Sequence, residues 1–147
     1  MILVFVCTGN SARSIMAEAI ARAMIPASAP VRIFSAGTSP RGVHPETIAV
    51  LEEAGVPVDG LSSKGLGDVP YGQAGLVVTL CDDARGSCPA PPPGARHIHW
   101  GLRDPAAGDE LPEQRRERFR AARDEVRTCV KRLLFEMATD PSLRRTP

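Results

Sequence analysis

Short, unbroken apolar runs separated by amphipathic stretches constrain the fold of this chain more than any other feature of its sequence. The first run is ILVFVC at residues 2–7, and similar runs occupy residues 31–35 and 76–80. RHIHW at residues 96–100 is a fourth candidate. Continuous apolar, β-branched runs of this length are typical of strands that a parallel sheet buries on both faces. The sequence therefore predicts a small parallel sheet.

The segments between these runs have the apolar spacing of helices. Residues 14–25 place their apolar side chains on one stripe and are followed by Pro26. A second helix opens at Pro45 and stops at Gly55, and a long third helix is predicted over residues 112–138. Strands that alternate with helices imply parallel pairing through right-handed crossovers, and hence a single three-layer α/β domain.

Charge and hydropathy exclude several classes of function. Eighteen Lys and Arg residues against 17 Asp and Glu residues leave a net charge of +1, which gives no electrostatic case for nucleic acid or anionic lipid. No apolar stretch approaches the roughly 20 residues that span a bilayer, and no basic leader is present, so we expect a cytoplasmic protein. In that reducing compartment, four cysteines indicate catalysis, metal binding or burial more than a disulfide framework.

CTGNSARS at residues 7–14 stands directly between the first apolar run and the first helix. In an open α/β sheet, ligands bind beyond the carboxyl ends of the strands, where a helix N-terminus also points. Gly9 and Asn10 permit a tight loop whose N–H groups converge on a tetrahedral oxyanion, and Arg13 can bind two oxygens. We predict Cys7 as the nucleophile, its thiolate stabilised by the loop, the alternative being a buried cysteine that ends a strand. The predicted oxyanion-binding residues are Thr8, Gly9, Asn10, Ser11, Ala12, Arg13 and Ser14.

Several separated motifs resemble the low-molecular-weight tyrosine phosphatase fold. They are CTGNSARS at residues 7–14, SAG at residues 35–37, Gly42, the His44-Pro45 pair and the Asp104-Pro105 pair. The spacing of Cys81 and Cys88, and WGLRDPA at residues 100–106, resemble the thioredoxin-coupled arsenate reductases built on that scaffold. The resemblance implies a four-stranded parallel sheet of order 2-1-3-4 flanked by helices. It assigns residues 1–138 to a single catalytic domain and residues 139–147 to a C-terminal tail.

The chemistry that the resemblance implies is reduction of arsenate to arsenite by a relay of three cysteines. Cys7 attacks arsenate, Cys81 then attacks Cys7 as arsenite leaves, and Cys88 attacks Cys81 in turn. Arg13 neutralises developing charge. Asp104 is implied to transfer protons, although a plain loop turn before proline is the alternative on sequence alone.

The partners that the resemblance implies are an oxyanion and a reductant. Arsenate is the expected substrate, with phosphate or sulfate as analogues, and no cofactor or metal is expected. Thioredoxin is the expected reductant, and a small thiol such as mycothiol, bacillithiol or glutathione is the alternative.

Two other functions stay open on the sequence. The first is a protein-tyrosine phosphatase that uses Cys7, Arg13 and Asp104 alone. Such enzymes often carry tyrosines after the Asp-Pro pair, whereas Ala106 and Ala107 stand there in this chain. The second is a non-enzymatic, anion-binding redox sensor, in which a partner protein recognises the oxidation state of Cys81 and Cys88. Weak phosphatase activity is expected beside arsenate reduction, because phosphate and arsenate share shape and charge.

The spacing of Cys81 and Cys88 leads to a separate geometric prediction. A helical segment would hold the Cα atoms of Cys81 and Cys88 about 10.5 Å apart, beyond the roughly 7 Å limit of a disulfide. We therefore predict that residues 81–95 rearrange when the pair is oxidised. The alternatives are two buried thiols, or a zinc site that also uses His97 and His99. Without zinc, these histidines are expected to face opposite sides of the sheet.

Some proteins of this group hold a potassium ion near the loop, through asparagine, glutamate, serine and an acidic residue. The polar residues of this chain that match are Asn10, Glu18, Ser35 and Ser62. Lys64 stands where the acidic residue is expected. We predict weak or no potassium dependence, because a fixed ammonium either occupies the cation site or repels the cation.

Overall fold

The computed structural model describes residues 1–81, 88–108 and 111–144. Its strands and α-helices are β1 (Ile2–Cys7), α1 (Arg13–Met24), β2 (Arg32–Gly37), α2 (Pro45–Glu53), β3 (Leu76–Thr79), β4 (Arg96–His99) and α3 (Pro112–Thr139). Short 3-10 helices cover Leu66–Asp68, Tyr71–Gln73 and Pro141–Arg144. Each predicted strand and helix is present, with bounds that differ by at most a few residues. None of the helices described is long and apolar enough to cross a membrane.

The four strands form one parallel sheet of order β2-β1-β3-β4, which confirms the predicted topology. Val4 of β1 pairs with Phe34 of β2 on one side and with Val77 of β3 on the other. Thr79 of β3 pairs with His99 of β4. Because all four strands run the same way, their carboxyl ends meet at one edge of the sheet, where a ligand site is expected.

The two faces of the sheet are covered by different kinds of structure. Successive side chains of a strand point to opposite faces. Phe5 packs in a core cluster with residues of all three α-helices, among them Phe119 of α3. Val6 packs instead in a second cluster with the segment before β3, which carries the first two 3-10 helices and includes Tyr71. The sheet is therefore the middle layer of an open α/β fold, as predicted.

Ion pairs between α2 and α3 fix the position of α2 over the sheet. Glu46 in the first turn of α2 accepts hydrogen bonds from Arg116 of α3. Glu53 at the end of α2 is bound by Arg120 and Arg123, and the hydrogen bond from Arg120 is the main cause that lowers the pKa of Glu53 to about 2. The N-terminus of α2 lies beside the loop that follows β1, because the backbone N–H of His44 donates to the carbonyl oxygen of Ser11.

His97 and His99 lie on the same face of β4, so the expectation that they face opposite sides is wrong. The hydroxyl of Thr79 lies 2.9 Å from Nε2 of His97 and 2.6 Å from Nδ1 of His99. Residues two positions apart in a strand point to the same face, so the spacing of His97 and His99 itself indicates a shared face. In the parts of the chain that the structure describes, no group of three or more His, Cys, Asp or Glu side chains is arranged to hold a metal.

Candidate active site

The loop between β1 and α1 curls tightly around the end of β1. Asn10 adopts a left-handed conformation, with φ of 43°. Gly37 at the end of β2 permits close approach of the loop, because a Cβ atom there would lie 2.6 Å from the carbonyl oxygen of Thr8. α1 then begins at Arg13, so the positive end of its dipole faces the loop. The sequence thus builds, at the carboxyl edge of the sheet, a cradle whose geometry suits an anion.

A cavity of about 200 Å³ opens above this loop. Its volume lies below the roughly 300–1,000 Å³ that is usual for sites of organic ligands, which favours a small ligand. The lining residues are Cys7, Gly9, Ser11, Ala12, Arg13, Arg41, His44, Asp104 and Ala106. Six of these were predicted as site residues, whereas Arg41, His44 and Ala106 were not.

The sulfur of Cys7 is held by a hydroxyl whose orientation a second residue fixes. Ser14 Oγ lies 2.8 Å from Cys7 Sγ, and Asn10 Nδ2 donates a hydrogen bond of 2.8 Å to the same Ser14 Oγ. Asn10 occupies one of the two acceptor positions of the hydroxyl, so the hydrogen of Ser14 can point at the sulfur. Asn10 and Ser14 are fully buried, so water does not compete for the contact between Ser14 and the sulfur of Cys7.

Asn10 is itself fixed by a buried polar network behind the loop. Its Nδ2 also donates to Ser35 Oγ at 3.0 Å, and its Oδ1 accepts the backbone N–H of Lys64 at 2.7 Å. Ser35 Oγ donates to Glu18 Oε1 at 2.6 Å, and Glu18 is 1% exposed. The side chains that lie behind the Cys7 thiol therefore form one connected unit.

The ammonium group of Lys64 lies inside this network. Lys64 Nζ is 3.2 Å from Glu18 Oε1 and donates to the carbonyl oxygen of Ser62 at 2.7 Å. The other carboxylate oxygen, Glu18 Oε2, is 2.9 Å from Arg22. Two of the residues that matched the potassium ligands, Glu18 and Ser62, thus contact a fixed positive charge.

Exchange of sodium for potassium at constant ionic strength is expected to change the wild-type rate by less than about twofold, since Lys64 already neutralises Glu18. The variant Lys64→Met is expected to lose about 1–3 kcal/mol of unfolding free energy, because a buried carboxylate loses a charged partner. Potassium chloride, but not sodium chloride, should restore part of that loss in thermal unfolding. Lys131→Met, at an exposed position of α3, is the control. A severalfold potassium activation of the wild type contradicts the prediction.

Arg13 is anchored by main-chain carbonyl groups from two other segments. Its NH1 donates to the carbonyl oxygen of Leu80 at 3.1 Å and to that of Leu102 at 3.0 Å. Its NH2 lies 4.0 Å from Asp104 Oδ2. The guanidinium is 5% exposed, so its plane is fixed and its remaining N–H groups are available to a bound oxyanion.

Asp104 stands at the mouth of the cavity, with each carboxylate oxygen in a different role. The backbone N–H of Ala106 donates to Oδ1 at 3.0 Å and fixes the side chain. Oδ2 faces Arg13 and also lies 3.7 Å from NH2 of Arg41. The carboxyl group is therefore placed to exchange a proton with the outward-facing side of a ligand in the cradle.

His44 was overlooked as a site residue although its local role can be recognised in the sequence. It is the N-cap of α2, and its Nδ1 accepts the backbone N–H of Glu46 at 3.0 Å. Its backbone N–H donates to the carbonyl oxygen of Ser11, which ties α2 to the loop. Burial lowers the pKa of His44. The neutral ring consequently carries its proton on Nε2. The sequence signal for this role is a histidine directly before a proline at the first position of a helix.

Cys81 and Cys88 are joined by a disulfide, and their Cα atoms lie 6.0 Å apart. That separation is shorter than the spacing that a helical segment would give. Cys81 is fully buried, with its sulfur 3.9 Å from the carbonyl oxygen of Val6, while Cys7 is a free thiol. The predicted rearrangement of residues 81–95 stays a prediction, since residues 82–87 lie outside the described residues.

Comparison with known proteins agrees with this geometry. Residues 2–143 match the family model of the low molecular weight phosphotyrosine protein phosphatases. The arsenate reductase of Bacillus subtilis is 35% identical over 130 residues, which are 88% of this chain and 92% of that protein.

Solved structures of arsenate reductases are similar as well. One, in a phosphate-binding state, has a TM-score of 0.73 and 29% identity over 92% of this chain and 97% of its own. The thioredoxin-dependent arsenate reductase of Corynebacterium glutamicum has a TM-score of 0.60 and 25% identity over 88% of this chain and 61% of its own. The resemblance read from the sequence is confirmed, and the chain belongs to the low molecular weight phosphotyrosine protein phosphatase family.

Proposed function

We propose that this protein is an arsenate reductase that uses Cys7, Cys81 and Cys88 in a disulfide relay. The observation that carries the proposal is the disulfide between Cys81 and Cys88, formed beside a cradle that holds a free Cys7. A phosphatase needs the cradle but has no use for that disulfide. The names of the similar proteins support arsenate as the substrate. The relay lies within residues 1–138, which we take as the catalytic domain, with residues 139–147 as a tail.

In the first step, the Cys7 thiolate attacks arsenic and forms a sulfur–arsenic bond. The N–H groups of the loop and the guanidinium of Arg13 bind the oxygens that carry the negative charge. The leaving hydroxide takes a proton from Asp104 and departs as water. Arsenic stays in the pentavalent state, so this step is a substitution without electron transfer.

Reduction takes place in the second step, when the Cys81 thiolate attacks the sulfur of Cys7. A sulfur–sulfur bond forms and the sulfur–arsenic bond breaks, and the electron pair of the broken bond stays on arsenic. Arsenic is thereby reduced from As(V) to As(III) by two electrons, and the two sulfurs are oxidised to a disulfide. Arsenite then leaves the cradle.

The alignment of β1 and β3 supports the encounter of these two thiols. The backbone N–H of Leu80 donates to the carbonyl oxygen of Val6 at 2.7 Å, so the pairing with β1 continues one residue beyond Thr79, where β3 ends. Cys81 therefore lies one residue beyond the position opposite Cys7. A strand spacing near 4.8 Å and a rise near 3.3 Å separate such Cα atoms by about 6 Å, within the roughly 7 Å limit of a disulfide. Neighbouring residues of a strand point to opposite faces, so the encounter also requires that the backbone after β3, which has left the strand, turns the Cys81 side chain towards Cys7.

In the third step, the Cys88 thiolate attacks Cys81 and releases Cys7 as a thiolate. The oxidation is now stored in the disulfide that the structure contains, away from the oxyanion cradle. We propose thioredoxin as the reductant that opens this disulfide, because a dithiol protein resolves a disulfide by a second intramolecular exchange. A thioredoxin-dependent arsenate reductase among the similar structures supports that choice.

The test is sustained arsenite formation by the wild-type protein with a single reductant at a time. Thioredoxin with its reductase and NADPH is expected to support continuous turnover. Glutathione, mycothiol or bacillithiol alone is expected to be at least about tenfold slower, since a monothiol must resolve its own mixed disulfide with a second molecule. Equal rates with a small thiol would replace the thioredoxin proposal by a small-thiol one.

The two other functions make different demands on the same cavity. A tyrosine phosphatase needs apolar walls around a phenyl ring, whereas Ala106 and the charged Arg41 line this mouth. Hydrolysis of p-nitrophenyl phosphate at a higher kcat/KM than arsenate reduction would favour that function. A redox sensor would bind phosphate and form the disulfide but produce no arsenite in the assay above.

A further inference from the structure

Arg41 is attached to the loop that carries the nucleophile, although 59% of its side chain is exposed. Its backbone N–H donates to the carbonyl oxygen of Gly9 at 3.0 Å. Its guanidinium lies flat against the same glycine, since a Cβ atom on Gly9 would be 2.4 Å from Arg41 Nε and 2.7 Å from NH2. The absence of a side chain at Gly9 thus leaves the space that this guanidinium fills.

The far side of the same guanidinium lies at the mouth of the cavity, next to Asp104. Arg41 NH2 lies 3.7 Å from Asp104 Oδ2, and Arg13 NH2 lies 4.0 Å from that same oxygen. One carboxylate oxygen is therefore shared between an arginine on the floor and an arginine at the rim. Arg41 and Asp104 therefore lie side by side in the lining of the cavity, where a group that projects from the cradle comes close to both.

We propose that Arg41 is a specificity-determining residue, which binds the outward-facing oxygen of a free inorganic oxyanion and disfavours phosphate monoesters. The proposal rests on the proposed function and names the substrate class of that site. Arg41 was not among the predicted site residues, and its role follows from the two contacts described above.

The direction of attack explains why this oxygen discriminates. Cys7 attacks from the floor, and the group that leaves stands in line with it, on the side that faces the mouth. In arsenate or phosphate that group is a small hydroxyl or oxide, which can accept hydrogen bonds from the guanidinium of Arg41. In a monoester the same oxygen also bonds to carbon. The ester oxygen is then a weaker hydrogen-bond acceptor, and its carbon substituent crowds the space beside Arg41 and Asp104.

The test compares an inorganic oxyanion with an ester in Arg41→Ala and Arg41→Gln. Both variants are expected to raise the KM for arsenate and the Kd for inorganic phosphate by about tenfold, because each removes one charge-assisted hydrogen bond. The kcat/KM for p-nitrophenyl phosphate should stay unchanged or rise in Arg41→Ala, because the mouth is wider. The selectivity for oxyanion over ester is thus expected to fall by tenfold or more.

Loss of a positive charge elsewhere on the protein is not expected to change the selectivity for oxyanion over ester. Arg32→Ala is the matched control that tests this. Arg32 is an exposed arginine at the amino-terminal edge of the sheet, away from the cavity, and its loss should leave the selectivity within about twofold of wild type. If both Arg41 variants lower oxyanion and ester activity by the same factor, or change neither, the proposal is wrong. Thermal unfolding midpoints verify that each variant is folded.

Failure of this inference can be distinguished from failure of the proposed function. Binding of inorganic phosphate and of phenyl phosphate to the Cys7→Ser protein, with and without Arg41→Ala, measures the discrimination without any reduction. If wild type forms arsenite but the binding ratio does not depend on Arg41, the inference alone fails. If the ratio depends on Arg41 but no arsenite forms, the proposed function alone fails.

Discussion

Replacement of Cys7 by serine is expected to lower arsenite formation by at least about 10³-fold, to the level of the reaction without enzyme. Serine has nearly the same shape, but its hydroxyl is a far weaker nucleophile than a thiolate at neutral pH. It also cannot form the disulfide with Cys81 that transfers the electron pair. The measurement is arsenite released with thioredoxin, its reductase and NADPH in excess.

Two controls separate lost chemistry from lost structure in this variant. Cys7→Ser should still bind inorganic phosphate, because the loop N–H groups and Arg13 are unchanged, and calorimetry measures that binding. Cys129→Ser changes a half-buried free cysteine on α3 and should keep the wild-type rate. A Cys7→Ser protein that retains more than a tenth of the wild-type rate would exclude Cys7 as the nucleophile.

The variant Cys88→Ser is expected to perform one turnover and then stop. Its first two steps are intact, so about one arsenite per enzyme should appear in a burst. The protein is then trapped with Cys7 joined to Cys81, because the Cys88 thiol that releases Cys7 in the wild type is absent. Steady turnover with thioredoxin should fall to a few per cent of the wild-type value or less, which makes the burst visible.

Peptide mapping without reductant identifies the trapped state. A peptide that links Cys7 to Cys81 is expected in Cys88→Ser after one turnover, and the peptide that links Cys81 to Cys88 is expected in the wild type. Cys81→Ser should give no burst with thioredoxin as sole reductant, because no thiol is placed to attack Cys7. Full multiple turnover by Cys88→Ser with thioredoxin would refute the three-cysteine relay.

Much of the fold was predictable because its signals are local. β1 has the same bounds in the sequence and in the structure, since a continuous apolar run flanked by a glycine-containing loop leaves little choice. β2 runs to Gly37, two residues beyond the predicted end, because its last residues pair with the end of β1. Strand order followed from the family resemblance rather than from any single segment.

The site was predictable only where its residues belong to one motif. The loop after β1 could be recognised because a thiol, a glycine and an arginine have fixed spacing between a strand and a helix. Arg41 and His44 lie in a separate segment that hydrogen bonds to this loop, and only the folded chain shows that they reach the same cavity. The position of the Lys64 ammonium group depends likewise on Glu18, which is distant in sequence.

The two carbonyl contacts of Arg13 also determine when the site is completed during folding. Their partners, Leu80 and Leu102, are separated from Arg13 by 67 and 89 residues along the chain. Contacts over such distances form late, because the chain must first lose the entropy of the intervening loop. The segment with Cys7 emerges early in synthesis, but its arginine is oriented only after β3 and the segment before Asp104 have docked. A nascent chain therefore carries the thiol before it has the means to use it.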